Sequence, residues 1–166
     1  MASIADLILI SMENDQDCRQ EHKSTISKRR RQRQCIVEFL YMWQVQREVP
    51  VETLLKTYLE EKSSEVEAEI LQADFISEAV LGVVNHEEFI DDKIQKFAKN
   101  WAFDRIAKVD LAILRLAIYE LCFCPGTPVA VVINEALELS KCYSSEDSKR
   151  FINGILDHVA KEDLNK

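Results

Sequence analysis

Five cations stand within six residues at Lys28-Arg29-Arg30-Arg31-Gln32-Arg33. Arginine grips phosphate through paired hydrogen bonds and lays its flat guanidinium on bases, so such a run suits a polyanion. Side by side the charges repel one another, and a helix turning 100° per residue would spread them over more than one face. Two readings stand: a frayed, solvated helix start, or a phosphate-gripping arm continuous with the first helix. A second candidate lies near the other end, where Lys149-Arg150-Phe151 opens the last helix beside its unpaired N–H groups. Ile152, Ile155, Leu156 and Val159 already supply an inward stripe there, which leaves Phe151 at its flank. Phe151 either widens the core face or, next to two cations, offers a stacking platform for an unpaired base.

Catalytic chemistry is poorly provided for. His22, His86 and His158 are scattered without the spacing of a metal site, and no nucleophile motif precedes a suitable turn. Cys122-Phe123-Cys124 is too tight for a relaxed disulfide and lacks the second half of a zinc site. The acid pairs Glu87-Glu88 and Asp91-Asp92 read as a solvated helix face. No catalytic residue, metal or cofactor is expected, and the chain is not expected to be an enzyme. Arg115, Glu120, Asn134 and Glu135 interrupt apolar runs. Buried, they must be paired, and the expectation is an ion-pair network joining the central helix to the following one.

These residues are positioned by helices. With 166 residues, 47% of them hydrophobic, and only three glycines and three prolines, the chain suits one all-α domain and lacks the turn residues of a sandwich or barrel. Residues 19–33 carry seven basic side chains against one acid, whereas residues 34–166 carry 14 against 24. An acidic body with one basic site excludes the wrapping of a whole duplex and leaves a small, directed nucleic-acid contact. The odd set of five cysteines reads as reduced packing residues, which fits the cytoplasm. Ile4–Met12 is apolar but lacks the flanks of a signal peptide and the length of a membrane span.

Residues 1–27 read as an N-terminal extension, 28–160 as the helical domain and 161–166 as a tail. Cys35, Ile36, Phe39, Leu40 and Trp43 line one face of the first helix, and Pro50 opens the second. Ser64 and Glu67 resemble a capping box opening a longer helix with Ile70, Ala73, Phe75, Ala79 and Val83 inward. A further helix fits about Phe89–Trp101. Asp110 reads as the N-cap of a helix so apolar that it belongs at the centre. A helix over Val129–Cys142 follows, then a last one capped by Ser145. About seven helices result.

Three stretches carry a resemblance: RRRQRQCIVEFLYMWQ at 29–44, VDLAILRLAIYEL at 109–121 and PVAVVINEALELSKCYSSEDSKRFINGILD at 128–157. Together, in this order, they resemble the bacterial transcription antitermination factor family NusB, over residues ~28–160. The resemblance implies an all-α bundle in two packed halves. It also implies binding of the single-stranded boxA element of ribosomal-RNA leader transcripts, together with NusE, a small-subunit ribosomal protein, in a complex on elongating RNA polymerase. By the same resemblance Arg29, Arg30, Arg31, Arg33, the motif Glu146-Asp147-Ser148 and the pair Arg150-Phe151 are expected on the RNA side, and the reading of the two basic clusters adds Lys28 and Lys149. Tyr41, Asp104 and Asp110 are assigned to a NusE-facing or RNA-adjacent surface. Two alternatives remain at this point: a self-associating helical module, such as a homodimer that covers its basic arm, and the RNA-binding domain of a ribosomal-RNA methyltransferase. The 166 residues carry no glycine-rich cofactor loop or catalytic-cysteine motif, which counts against the latter.

Overall fold

The computed structural model describes residues 28–71 and 74–164. The reading of residues 1–27 as an extension, with Cys18, His22 and the apolar Ile4–Met12 stretch, lies outside the described residues, as does Ala73. The helices are α1 (Lys28–Val45), α2 (Val51–Lys62), the single turn α3 (Ala68–Leu71), α4 (Asp74–Asn85), α5 (Glu87–Phe97), α6 (Lys108–Phe123), α7 (Val129–Tyr143) and α8 (Glu146–Leu164). A 3-10 turn at Phe103–Arg105 precedes α6. Seven of these helices have eleven residues or more, matching the all-α expectation. Among the described residues no helix is long and apolar enough to cross a membrane.

Central placement follows from the sequence of α6, in which every residue from Asp110 to Ile118 is buried. The first half of the molecule, α1–α5, packs onto α6 through α1, α4 and α5, and the second half completes the bundle with α7 and α8. Pro50 and Pro128 sit just before α2 and α7 in extended conformation, where a missing N–H costs nothing. Ser145 caps α8 as expected, its Oγ accepting the Ser148 N–H at 3.2 Å. The tight α4–α6 crossing depends on Gly82: a Cβ there would lie 2.2 Å from the Tyr119 ring.

Several expectations need correcting. Ser64 opens no helix; its Oγ donates to the Glu61 carbonyl beyond the end of α2, and the predicted long helix is divided into α3 and α4. Helix α5 stops at Phe97, so Trp101 lies in the loop beyond it. Asp110 is in the first turn of α6 rather than at its N-cap, which is Ala107. Helix α8 continues through Leu164, so Glu162 belongs to the helix, with its carboxylate on Lys93 at 2.7 Å, and not to a tail.

Of the four polar residues amid apolar runs Asn134 is exposed, and Arg115, Glu120 and Glu135 are paired, but not as expected. Glu120 of α6 faces Arg33 of α1 in a bidentate pair at 2.8 and 3.0 Å, with the two residues 2% and 5% exposed. Arg115 reaches back to Asp91 at 2.7 Å and Glu87 at 3.0 Å, both on α5. Glu135 of α7 takes Arg30 of α1 at 2.8 and 2.9 Å. The central helix is therefore tied to the first half of the molecule, because α1 and α5 supply the facing partners. Glu38 joins α1 to both neighbours, accepting hydrogen bonds from Tyr58 and Tyr143 and from Lys62.

Removing one member of the Arg33–Glu120 pair leaves a buried charge without its partner. Glu120→Ala is expected to destabilise the fold by about 3–5 kcal/mol in denaturant unfolding, with Arg33→Met/Glu120→Leu recovering most of that loss. A second check is electrostatic. Hydrogen bonds from Lys93 and Lys96 hold the Glu162 carboxyl down at about 2. A depressed folded pKa means that this pairing contributes above the ordinary carboxylate range and is lost as the pH falls through about 2. An NMR titration of Glu162 should show that midpoint, and Lys93→Ala should move it upward.

Candidate nucleic-acid interface

The buried pairs set the direction of the helices. Arg33 meets Glu120 while the Gln44 side chain donates to the Lys108 carbonyl at 3.0 Å, so α1 runs antiparallel to α6. Arg30 meets Glu135 while Glu38 meets Tyr143, so α7 runs parallel to α1. The arginine cluster thus sits at the C-terminal end of α6, and the start of α8 sits at the other end beside Asp110. Ten residues of helix between Asp110 and Glu120 correspond to about 15 Å. The two basic motifs of the sequence are separate places on the molecule.

The five cations do not act as a unit. Arg33 is inside the core against Glu120, so its expected RNA contact is corrected to a structural one. Arg30 is half-buried and engaged with Glu135 and Glu138. Arg29 is exposed, its guanidinium 4.1 Å over the Phe75 ring while it donates to Gln32 at 3.1 Å. Lys28 is exposed and Arg31 half-buried, and neither forms an ion pair among the described residues. Three of the five remain to face an anion.

At the opposite end lies an open groove of about 250 Å³ lined by Trp101, Arg105, Ile106, Asp110, Asp147, Ser148 and Phe151 among others. Its shape has a local cause. Ala98 and Ile106 are both buried, so the chain between them bulges outward and carries Trp101 and Arg105 into solvent. Trp101 is 60% exposed and meets the Phe151 ring edge to face, with centroids 5.8 Å apart. Phe151 packs on the core, as one of its readings has it, and also lines the groove.

Asp110 is buried at the groove and accepts a hydrogen bond from the Ser144 hydroxyl at the end of α7. Asp147 is exposed and lines the groove, whereas Lys149 and Arg150, half-buried and exposed, follow on α8 outside its lining. Asp104 is exposed in the 3-10 turn next to Arg105, whereas Tyr41 is half-buried against the core and does not line the groove. The sequence reading missed Trp101 and Arg105. Their signal was an aromatic and a cation in the polar stretch Lys99-Asn100-Trp101-Ala102-Phe103-Asp104-Arg105.

Residues 30–161 match the model of the NusB family. The chain belongs to the NusB family. It is 43% identical over 136 residues to the transcription antitermination protein NusB of Acetivibrio thermocellus, an alignment covering 82% of this chain and 90% of that protein. Among solved structures it is similar to T. maritima NusB, with a TM-score of 0.71 and 34% identity over 81% of this chain and 91% of that one. It is also similar to a chain from the complex of antitermination factors NusB and NusE with double-stranded RNA, with a TM-score of 0.70 and 27% identity, covering 81% and 97%. The NusB match thus spans both the arginine cluster and the groove.

The two tryptophans provide a check on the groove. Trp43 is buried and Trp101 exposed. Trp101→Phe should remove the acrylamide-accessible part of the intrinsic fluorescence and leave a shielded remainder.

Proposed function

We propose that this NusB-family antitermination factor binds the single-stranded boxA element of ribosomal-RNA leader transcripts together with NusE, within the cytoplasmic complex on elongating RNA polymerase. It acts without catalysis, as a regulator that gathers RNA and protein. The observation that carries the RNA reading is the Trp101–Phe151 pair with Arg105 in the same groove, on a protein whose net charge is −8. Aromatic rings beside cations suit unstacked bases, because every base presents a π-face while a duplex hides it. Lys28, Arg29 and Arg31 form a second, electrostatic contact at the far end of α6. Asp104 stands exposed beside the groove, where a partner protein bound there would meet it.

The test is fluorescence anisotropy of a labelled single-stranded boxA RNA, with and without NusE, against a scrambled strand and a duplex. Selective binding of the single strand, strengthened by NusE, supports the reading. Equal binding of all three RNAs overturns it. Phe151→Ala should weaken binding by about 1–3 kcal/mol with little change in salt dependence. Arg29→Ala and Arg31→Ala should each flatten the slope of log affinity against log salt by about 0.7. Arg33→Ala should instead lower stability, since that side chain is inside the core.

A further inference from the structure

A second exposed aromatic surface lies away from the groove. Phe123, the last residue of α6, stands about 20 Å along that helix from Asp110. Its ring meets three others: His86 with centroids 4.0 Å apart, Phe89 at 5.5 Å and Tyr119 at 5.7 Å. Phe89 is nevertheless 41% exposed and Phe123 37%. A lone exposed ring is ordinary, but rings in contact that stay exposed mark a contact surface.

The surroundings of these rings are acidic. Asp92 follows Phe89 by three residues, on the same face of α5, and Glu88 precedes it. Both acids are exposed, as is Glu78 of α4. Burial, the neighbouring Cys124 and then the charge of Glu78 raise the Tyr119 hydroxyl above its ordinary value, so Glu78 stands close to the rings. None of these three carboxylates forms an ion pair among the described residues. The cations in reach are engaged elsewhere: Lys93, 5.4 Å over Phe89, is buried on Glu162, and Arg29 is taken up by Phe75 and Gln32. The same molecule shows what such a combination binds. Arg47 lies 3.5 Å over the Trp43 ring while both of its terminal nitrogens donate to Glu87, at 2.6 and 2.9 Å. At Phe123 rings and carboxylates recur together, and no guanidinium of the described residues joins them.

We infer that the surface of His86, Phe89, Tyr119 and Phe123 docks a basic protein segment, whose arginine lays its guanidinium on the rings and pairs with Asp92, Glu78 or Glu88. This is independent of the proposed RNA binding. Three carboxylates repel a phosphate backbone, and they repel the same surface of a second copy. Lysine suits the surface less well, because its ammonium holds its water and has no plane to stack.

The experiment follows the ring and amide resonances of the full chain by NMR as acetyl-triarginine amide or acetyl-trilysine amide is added. Triarginine is expected to shift the Phe89, Tyr119 and Phe123 rings and to bind about two- to fivefold more tightly than trilysine, the scale of an exposed cation–π contact. Phe123→Ser should bring the two peptides level. Glu78→Gln/Asp92→Asn changes only exposed side chains, which keeps the fold, and should weaken both peptides by about threefold.

Equal affinity of the two peptides, or triarginine shifts confined to the Trp101–Phe151 groove, overturns the inference and leaves the proposed function standing. Shifts of these rings on dilution of the chain alone assign the surface to a second copy, and shifts on adding single-stranded RNA assign it to nucleic acid; either result overturns the inference. Rings that respond to neither peptide, in a chain whose other resonances show it folded, overturn it as well.

Discussion

Everything in this fold turns on a charge that had to be buried with its partner. Arg33 of α1 lies against Glu120 of α6 in the centre of the bundle, and the pair joins the first half of the molecule to the helix around which the second half is built. An unpaired guanidinium in that position would cost several kcal/mol, so the pair fixes the register of α1 on α6 more sharply than apolar packing alone. Arg30 on Glu135 sets α7 alongside α1, and Arg115 of α6 on Asp91 and Glu87 holds α5 against α6. Three arginines of the sequence are thus fasteners between helices.

That use of charge separates two tasks that the sequence had run together. A basic run looks like a single arm for polyanions, but alternate members of a helix point in different directions. Here the inward-pointing members assemble the bundle, while Lys28, Arg29 and Arg31 are left toward solvent. The antiparallel course of α1 and α6 then puts those cations at one end and the aromatic groove at the other. The cations and the aromatic groove lie on separate surfaces, so they can be altered independently.

Element types were legible because periodic apolar residues and helix-entry prolines act locally: α1, α2, α6, α7 and α8 follow from them, and Ser145 caps as its neighbours require. Ser64 misled because a serine three residues before Glu67 satisfies a capping pattern while also being able to close the end of the preceding helix, which it does. Partner choice was illegible for a different reason. Glu120 and Arg33 are 87 residues apart, and nothing local says which opposite charge a buried side chain will meet. Trp101 escaped notice for a third reason: its exposure depends on Ala98 and Ile106 being anchored in the core on either side, a property of the packed loop and not of the segment.

The central claim is that the single strand is held at the groove, with the basic start of α1 in an auxiliary role. Photo-crosslinking of a boxA strand carrying 4-thiouridine to the complete chain in the presence of NusE, followed by peptide mapping, tests this most directly. The dominant crosslinked peptides are expected to carry Trp101 and Phe151, with weaker adducts near Arg29 and Arg31. Crosslinks confined to the start of α1, with none in the peptides that line the groove, would contradict it.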